Sequence, residues 1–179
     1  MKVKLIKQHD EKDCGAACLS MILEFYGKKV PLASVREAIK VDQHGANIYG
    51  MVDGADKFDL IGSPFDLYDD QNQFSPSEVW DLIAGREVNF PFIARIVNKS
   101  GYEHFIVIEN ATTEGLAVCD PGEGKIHMGH DQFLACFPGQ VIPGTWPCPA
   151  RSPPAVDWPC GKGCSRPPPG PCRRSPAAR

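Results

Sequence analysis

Gln8-His9-Asp10-Glu11-Lys12-Asp13-Cys14-Gly15-Ala16-Ala17-Cys18-Leu19-Ser20-Met21-Ile22-Leu23-Glu24-Phe25-Tyr26-Gly27 opens on polar residues and turns apolar at Cys14. The spacing predicts a helix over 14–26. Cys18, Met21, Ile22 and Phe25 recur at the i, i+3, i+4, i+7 interval of a buried stripe, and Gly27 stands where a helix stops. Cys14 precedes Cys18 by one turn on the same face, which puts its sulfur at the start of the helix. There the free N–H groups and the helix dipole favour an anion, and a thiol attacks a carbonyl only as thiolate. Gly15-Ala16-Ala17 would let a substrate backbone come close. The plainer reading of Cys14 alone is a buried helix cysteine.

Working outward, short helices are expected over 32–40, with Leu32, Val35 and Ile39 inward, and over 47–57. Ser75-Pro76-Ser77-Glu78 joins a Ser cap, a Pro at the first helical position and a Glu three residues after the cap, marking a helix start before Val79-Trp80-Asp81-Leu82-Ile83. The pattern then changes to short β-branched runs at 91–97, 104–109, 115–119 and 125–128, separated by turn residues, as in an antiparallel meander. A helical turn or two over 131–137 ends at Pro138-Gly139. Helices first and strands second give an α+β domain, its N-terminal helical half packed against a C-terminal antiparallel sheet, with a site expected in the cleft between them.

Composition divides the chain. Of its 179 residues, 143–179 hold eleven of the seventeen prolines and four of the eight cysteines, and no apolar period. We expect a folded domain over 1–142 and a Pro/Cys/Arg-rich tail over 143–179, disordered and reading like frame-shifted or artificially appended sequence. The tail carries six Lys/Arg against one acid, leaving the body at about −8. An acidic body argues against a nucleic-acid partner, which requires a basic surface, and suits a basic peptide better. Residues 1–12 hold four lysines and no apolar run of seven, so no secretory signal is read, and no stretch of eighteen apolar residues is present. A soluble chain in a reducing compartment is expected, with Cys14, Cys18, Cys119 and Cys136 as thiols.

A nucleophilic cysteine needs a base. Of the five histidines, His104 opens the strand His-Phe-Ile-Val-Ile, where the end of a rigid element can aim an imidazole into a cleft. Asp120 ends the next strand in Ala117-Val118-Cys119-Asp120-Pro121-Gly122, and antiparallel pairing can bring it beside His104 to hold the imidazole in the right tautomer. Taken singly, His104 reads as an ordinary strand residue and Asp-Pro-Gly as a turn.

Together these residues carry a resemblance. Residues 8–19 followed by Tyr26-Gly27 are similar to the opening of the C39 peptidases, papain-like domains of bacterial ABC transporters that export bacteriocins and lanthipeptides. Tyr102-Glu103-His104-Phe105-Ile106-Val107-Ile108 resembles that family's histidine block, and Val118-Cys119-Asp120-Pro121-Gly122 its aspartate block, within a match running from about Lys4 to Val141.

The resemblance implies a papain-like fold and a cysteine endopeptidase that cuts leader peptides after a double-glycine pair during export. Cys14 would be the nucleophile, His104 the base, Asp120 its orienting partner and Gln8 the oxyanion glutamine. No cofactor or metal is implied. The implied partners are a precursor peptide with a double-glycine leader and the membrane and ATPase domains of a transporter, at the cytoplasmic face of the membrane. The leader's amphipathic helix would need an apolar surface, for which Ile48, Tyr49, Met51, Phe65 and Tyr68 are candidates, though core packing explains each as well.

Three rival readings differ in chemistry. A peptidase-like domain that only docks substrate would not need Cys14, His104, Asp120 and Gln8 together. A papain-like acyltransferase would keep the chemistry and change the acceptor. A zinc site could use Cys148, Cys160, Cys164 and Cys172, or Cys14 and Cys18 with His127 and His130, but neither set has the paired spacing of common structural sites.

Overall fold

A computed structural model describes residues 2–62, 64–67, 74–85, 88–112 and 114–145. The first helix, α1 (Cys14–Phe25), is buried continuously from Cys14 to Leu23. The stripe Cys18, Met21, Ile22 and Phe25 accounts for only one side of it. Ala16, Ala17, Leu19 and Leu23 fill the others, so α1 is enclosed, as a helix apolar all round should be.

Two short helices flank it, α2 (Leu32–Ala38) and α3 (Ile48–Asp56). The Asn47 side chain caps α3 by accepting the Gly50 N–H at 2.8 Å. Two-residue strands β1 (Ile61–Gly62) and β2 (Phe65–Asp66) follow. Then α4 (Pro76–Ala84) starts in the expected capping box: Ser75 Oγ accepts the Glu78 N–H at 3.3 Å, and Glu78 Oε2 accepts the Ser75 N–H at 2.8 Å.

The expected meander is present as β3 (Phe92–Val97), β4 (Glu103–Thr112), β5 (Gly115–Asp120) and β6 (Gly124–Met128), followed by α5 (His130–Cys136) and β7 (Gln140–Thr145). The strands are ordered β1-β7-β3-β4-β5-β6, with β2 also pairing β7, and every pairing is antiparallel.

Alternation along β4 divides the core in two. Phe105 and Val107 meet α1 and its neighbours, while Ile106 and Ile108 meet Val79 and Ile83 of α4 and Phe133 of α5. The sheet is therefore covered on both faces, with α4 and α5 on the side away from α1. That is why β4 reads as an unbroken apolar run from Phe105 to Ile108.

Strand β7 runs across the expected boundary. It pairs Phe92 with Pro143 and Ala94 with Val141, and continues to Thr145, three residues past the break drawn at 142/143. Pro143, read as the first residue of the tail, lies between the β1 pairing at 144–145 and the β2 pairing at 140–141, where a missing N–H costs no ladder bond on that side. The rest of the tail, and the zinc set within it, lies outside the described residues.

Helix α3 lies against the end of α2 only because two of its residues lack a Cβ. One added at Gly54 would stand 2.3 Å from Ile39 Cγ2 and 3.1 Å from Ile39 N, and one at Gly50 would stand 2.6 Å from the Ile39 carbonyl oxygen. Gly54→Ala is therefore expected to lower stability by about 1–3 kcal/mol, the usual scale of overpacking, despite alanine's better helix propensity. Urea denaturation measures it, and an unchanged midpoint would show that the two helices separate freely.

Candidate active site

Cys14 is the first residue of α1, as read from the sequence, and is 6 % exposed. Its neighbour Gly15 is required by packing: a Cβ there would sit 2.5 Å from the Ala46 Cβ and 3.1 Å from the Met51 sulfur. The loop before α3 thus closes over the start of α1, with Phe105 of β4 close by.

The sheet supplies the second and third groups. Val107 pairs with Cys119, so the outer ends of β4 and β5 run side by side, one carrying His104 and the other Asp120. His104 Nε2 lies 3.0 Å from Asp120 Oδ1, with the two side chains 13 % and 7 % exposed. The same oxygen accepts the backbone N–H groups of Gly122 at 2.7 Å and Glu123 at 3.0 Å. Asp120 therefore makes the turn that its Asp-Pro-Gly sequence signals and also meets the imidazole; the two readings coexist.

With Nε2 taken by Asp120, Nδ1 is the ring nitrogen left for a second partner, and Cys14 is the other group that acts on the ring. Burial of the ring works against its protonation. The hydrogen bonds to Asp120 and Cys14, and their charges, outweigh that and push the imidazole up to about 9. Burial likewise works against the Asp120 carboxylate, but its bonds from His104, Glu123 and Gly122 bring it below the usual aspartate range. One turn into α1, Cys18 is fully enclosed and its thiol is pushed well up by burial, then by the neighbouring Cys14, Asp120 and Cys119. It is held as a neutral thiol.

Gln8 reaches the same place from the N-terminal segment, which is tied down when the Gln8 N–H donates to the Pro121 carbonyl at 3.0 Å. Its side chain lies beside Gly122, where a Cβ would be 3.8 Å from Gln8 Cδ, and its Oε1 is buried with no partner among the described residues.

A cleft of about 1080 Å³ opens beside Gln8, His104 and Asp120, bounded further out by Tyr102, Ile126 and Cys136. Cys14 does not line it, so the imidazole and carboxylate border the open volume rather than the sulfur. Sequence reasoning missed the rim, where Tyr102 is 72 % and Val97 39 % exposed on either side of the β3–β4 turn. Of the residues considered for an apolar surface, Met51 is core, Ile48 is half-buried and Tyr49 is exposed on α3, none of them lining this cleft. The Phe65 side chain and Tyr68 lie outside the described residues.

Cys14, Cys18, Cys119 and Cys136 are free thiols. Among the described residues no group of three or more His, Cys, Asp or Glu is placed to hold a metal, so Cys14 and Cys18 do not combine with His127 and His130. No described helix is long and apolar enough to cross a membrane.

The raised imidazole has consequences in pH. A group whose folded pKa exceeds its ordinary 6.5 stabilises the fold fully below 6.5, and that contribution is lost as pH rises through about 9. Asp120 acts in the opposite sense, stabilising above its ordinary 3.8 and losing that contribution as pH falls through its lowered value. His104 should titrate near 9 by NMR. In Asp120→Asn its midpoint should fall by about one unit or more, since an opposite charge in contact shifts a pKa by that much. A midpoint unmoved in the variant would remove the carboxylate as the cause.

The peptidase C39 family profile matches residues 2–145, the span within which all the described residues lie. The chain is 30% identical over 139 residues to the lactococcin-G-processing and transport ATP-binding protein LagD of Lactococcus lactis subsp. lactis, covering 78% of this chain and 18% of that protein. It is 31% identical over 143 residues to the mesentericin-Y105 transport/processing ATP-binding protein MesD of Leuconostoc mesenteroides, covering 79% and 18%. The chain thus spans under a fifth of these relatives. Among solved structures, a double glycine motif protease from an AMS/PCAT transporter in complex with the leader peptide superposes with a TM-score of 0.67 at 26% identity, covering 80% of this chain and 91% of that one. The peptidase domain of Streptococcus ComA shares the fold, with a TM-score of 0.69 at 23% identity, covering 80% and 98%. By the profile match over residues 2–145 and by these relatives, the chain belongs to the peptidase C39 family.

Proposed function

We propose that the chain is a cysteine endopeptidase that removes the leader of bacteriocin or lanthipeptide precursors after a double glycine, as part of an ABC transporter. Cys14 is the nucleophile, His104 the general base and acid, Asp120 the orienting carboxylate and Gln8 an oxyanion donor. The observation carrying this reading is the His104 Nε2 to Asp120 Oδ1 contact of 3.0 Å, which leaves Nδ1 free for the cysteine at the helix N-terminus that also acts on the ring.

In this mechanism His104 takes the Cys14 thiol proton, and the thiolate–imidazolium pair is stabilised by Asp120 behind the ring. The sulfur adds to the scissile carbonyl carbon. The resulting oxyanion accepts hydrogen bonds from the Gln8 side-chain amide and the Cys14 backbone N–H, which no intrahelical acceptor claims in the first turn of α1. As the C–N bond breaks, His104 Nδ1 gives its proton to the leaving amine and a thioester remains. Water, losing a proton to His104, attacks the thioester and releases the leader's new C-terminal carboxylate and the free thiol.

Glycines before the cut suit a thiol that is only 6 % exposed, because a larger side chain would have to displace the packing around it. The proposed partners are a leader peptide and the membrane and ATPase domains of a transporter, with this domain on the cytoplasmic side. Both the relatives named as processing and transport proteins and the neighbour solved with its leader support that reading. Retention of all four site residues disfavours a domain that only docks substrate.

Mass spectrometry of double-glycine precursors incubated with the protein tests the proposal. Cleavage directly after the second glycine is expected, with none in Cys14→Ala. In Gln8→Ala, kcat should fall about a hundredfold, the effect of losing one oxyanion donor. A folded wild-type protein that leaves such precursors intact, or cuts them elsewhere, would overturn it.

A further inference from the structure

Asp13 occupies the N-cap of α1 and does not cap it. An aspartate there normally takes the N–H of the second or third helical residue with its side chain. Two other helices of this protein show the ordinary arrangement. Asn47 (φ −112°, ψ 161°) and Ser75 (φ −67°, ψ 156°) sit in extended backbone, and both cap with their side chains. Asp13 (φ −87°, ψ −2°) is already helical, and its side chain accepts nothing from the helix.

Its carboxylate, fully buried, is drawn instead to Arg36 of α2. Arg36 Nη1 donates to Oδ2 at 3.1 Å and stands 2.9 Å from Oδ1, which nevertheless has no aligned donor. Asp10 Oδ2 lies 3.5 Å from the same nitrogen. The helix's own bonding begins with Ala17 N–H to the Asp13 carbonyl at 2.8 Å, so the N–H groups of Cys14, Gly15 and Ala16 are spent neither on the helix nor on its cap.

We propose that Arg36 is a positioning residue that holds the Asp13 carboxylate off the start of α1, keeping the first-turn N–H groups and the positive end of the helix free to stabilise the Cys14 thiolate. The inference rests on Cys14 being the nucleophile. Without Arg36, a carboxylate one residue from the sulfur would turn to cap the helix. It would then take its donors and place a negative charge beside the thiolate, which opposes that thiolate's formation.

Carboxamidomethylation of Cys14 by iodoacetamide, followed against pH on the intact chain and assigned by peptide mass, reads this without any substrate. In Arg36→Gln the acid limb of the rate profile should move up by about one pH unit, with a roughly tenfold slower reaction at neutral pH. Arg36→Lys, which keeps the cation, should recover most of the difference. The other titratable groups around the sulfur, His104 of β4, Asp120 and Cys119 of β5 and Cys18 of α1, are untouched in these variants.

Because Arg36→Gln leaves a buried charge unpaired and so can unfold, a second pair carries the same test. Asp13→Asn/Arg36→Gln retains a side chain able to cap, whereas Asp13→Ala/Arg36→Gln does not, and the first should react several-fold more slowly than the second. Equal profiles in that pair, or an unmoved profile in folded Arg36→Gln, overturn the role of Arg36 while leaving Cys14 as nucleophile. A wild-type chain with no fast, pH-dependent reaction at Cys14 overturns both.

Discussion

Three groups from three parts of the chain meet, an imidazole from β4, a carboxylate from β5 and a thiol from α1. Asp120 takes Nε2 at 3.0 Å, and Cys14 at the start of α1 acts on the same ring. A half-buried imidazolium is tolerable only while the Asp120 carboxylate stays against it, so β4 and β5 must keep a fixed relation or the charge becomes costly. The rest of the architecture serves that constraint. β4 is packed from both faces, α1 is enclosed throughout its first ten residues, and the Asp120 carboxylate is held in place by two backbone N–H groups of its own turn.

Rigidity around the sulfur comes from small residues as much as from large ones. Gly15 lets the loop bearing Ala46 close over the first turn, and Gly50 and Gly54 let α3 sit down on Ile39, so the wall on that side is set by backbone approach. The N-terminal segment is secured in a different way. The Val3 N–H donates to Glu109 at 2.8 Å and Lys125 donates to the Val3 carbonyl at 2.7 Å, which anchors the strand of chain leading to Gln8 against β4 and β6. Lys125 and Glu109 also pair with each other at 3.1 Å, so charge is neutralised where the segment lands.

Two neighbouring thiols show how environment divides roles among identical side chains. Cys14 and Cys18 lie one turn apart on the same helix. Cys14 meets an imidazole at the helix end, while Cys18 sits deeper, where burial and nearby anions keep it protonated.

Local pattern determined a great deal. The cap at Ser75, the stop at Gly27, the meander from 91 to 128 and the positions of Cys14, His104 and Asp120 at element ends all follow from periodicity and turn chemistry, which act over a few residues. What tertiary structure alone decided depends on contacts far apart in sequence. Strand β7 inserts beside β3 even though Pro143 and Gly144 resemble the tail that follows, because an open sheet edge is satisfied by whichever segment returns to it. Helices α4 and α5 take the face opposite α1, a choice that no amphipathic pattern specifies. The side chain of Asp13 likewise meets Arg36, twenty-three residues on, rather than the start of the helix that follows it, a pairing that only the approach of α2 to α1 makes possible.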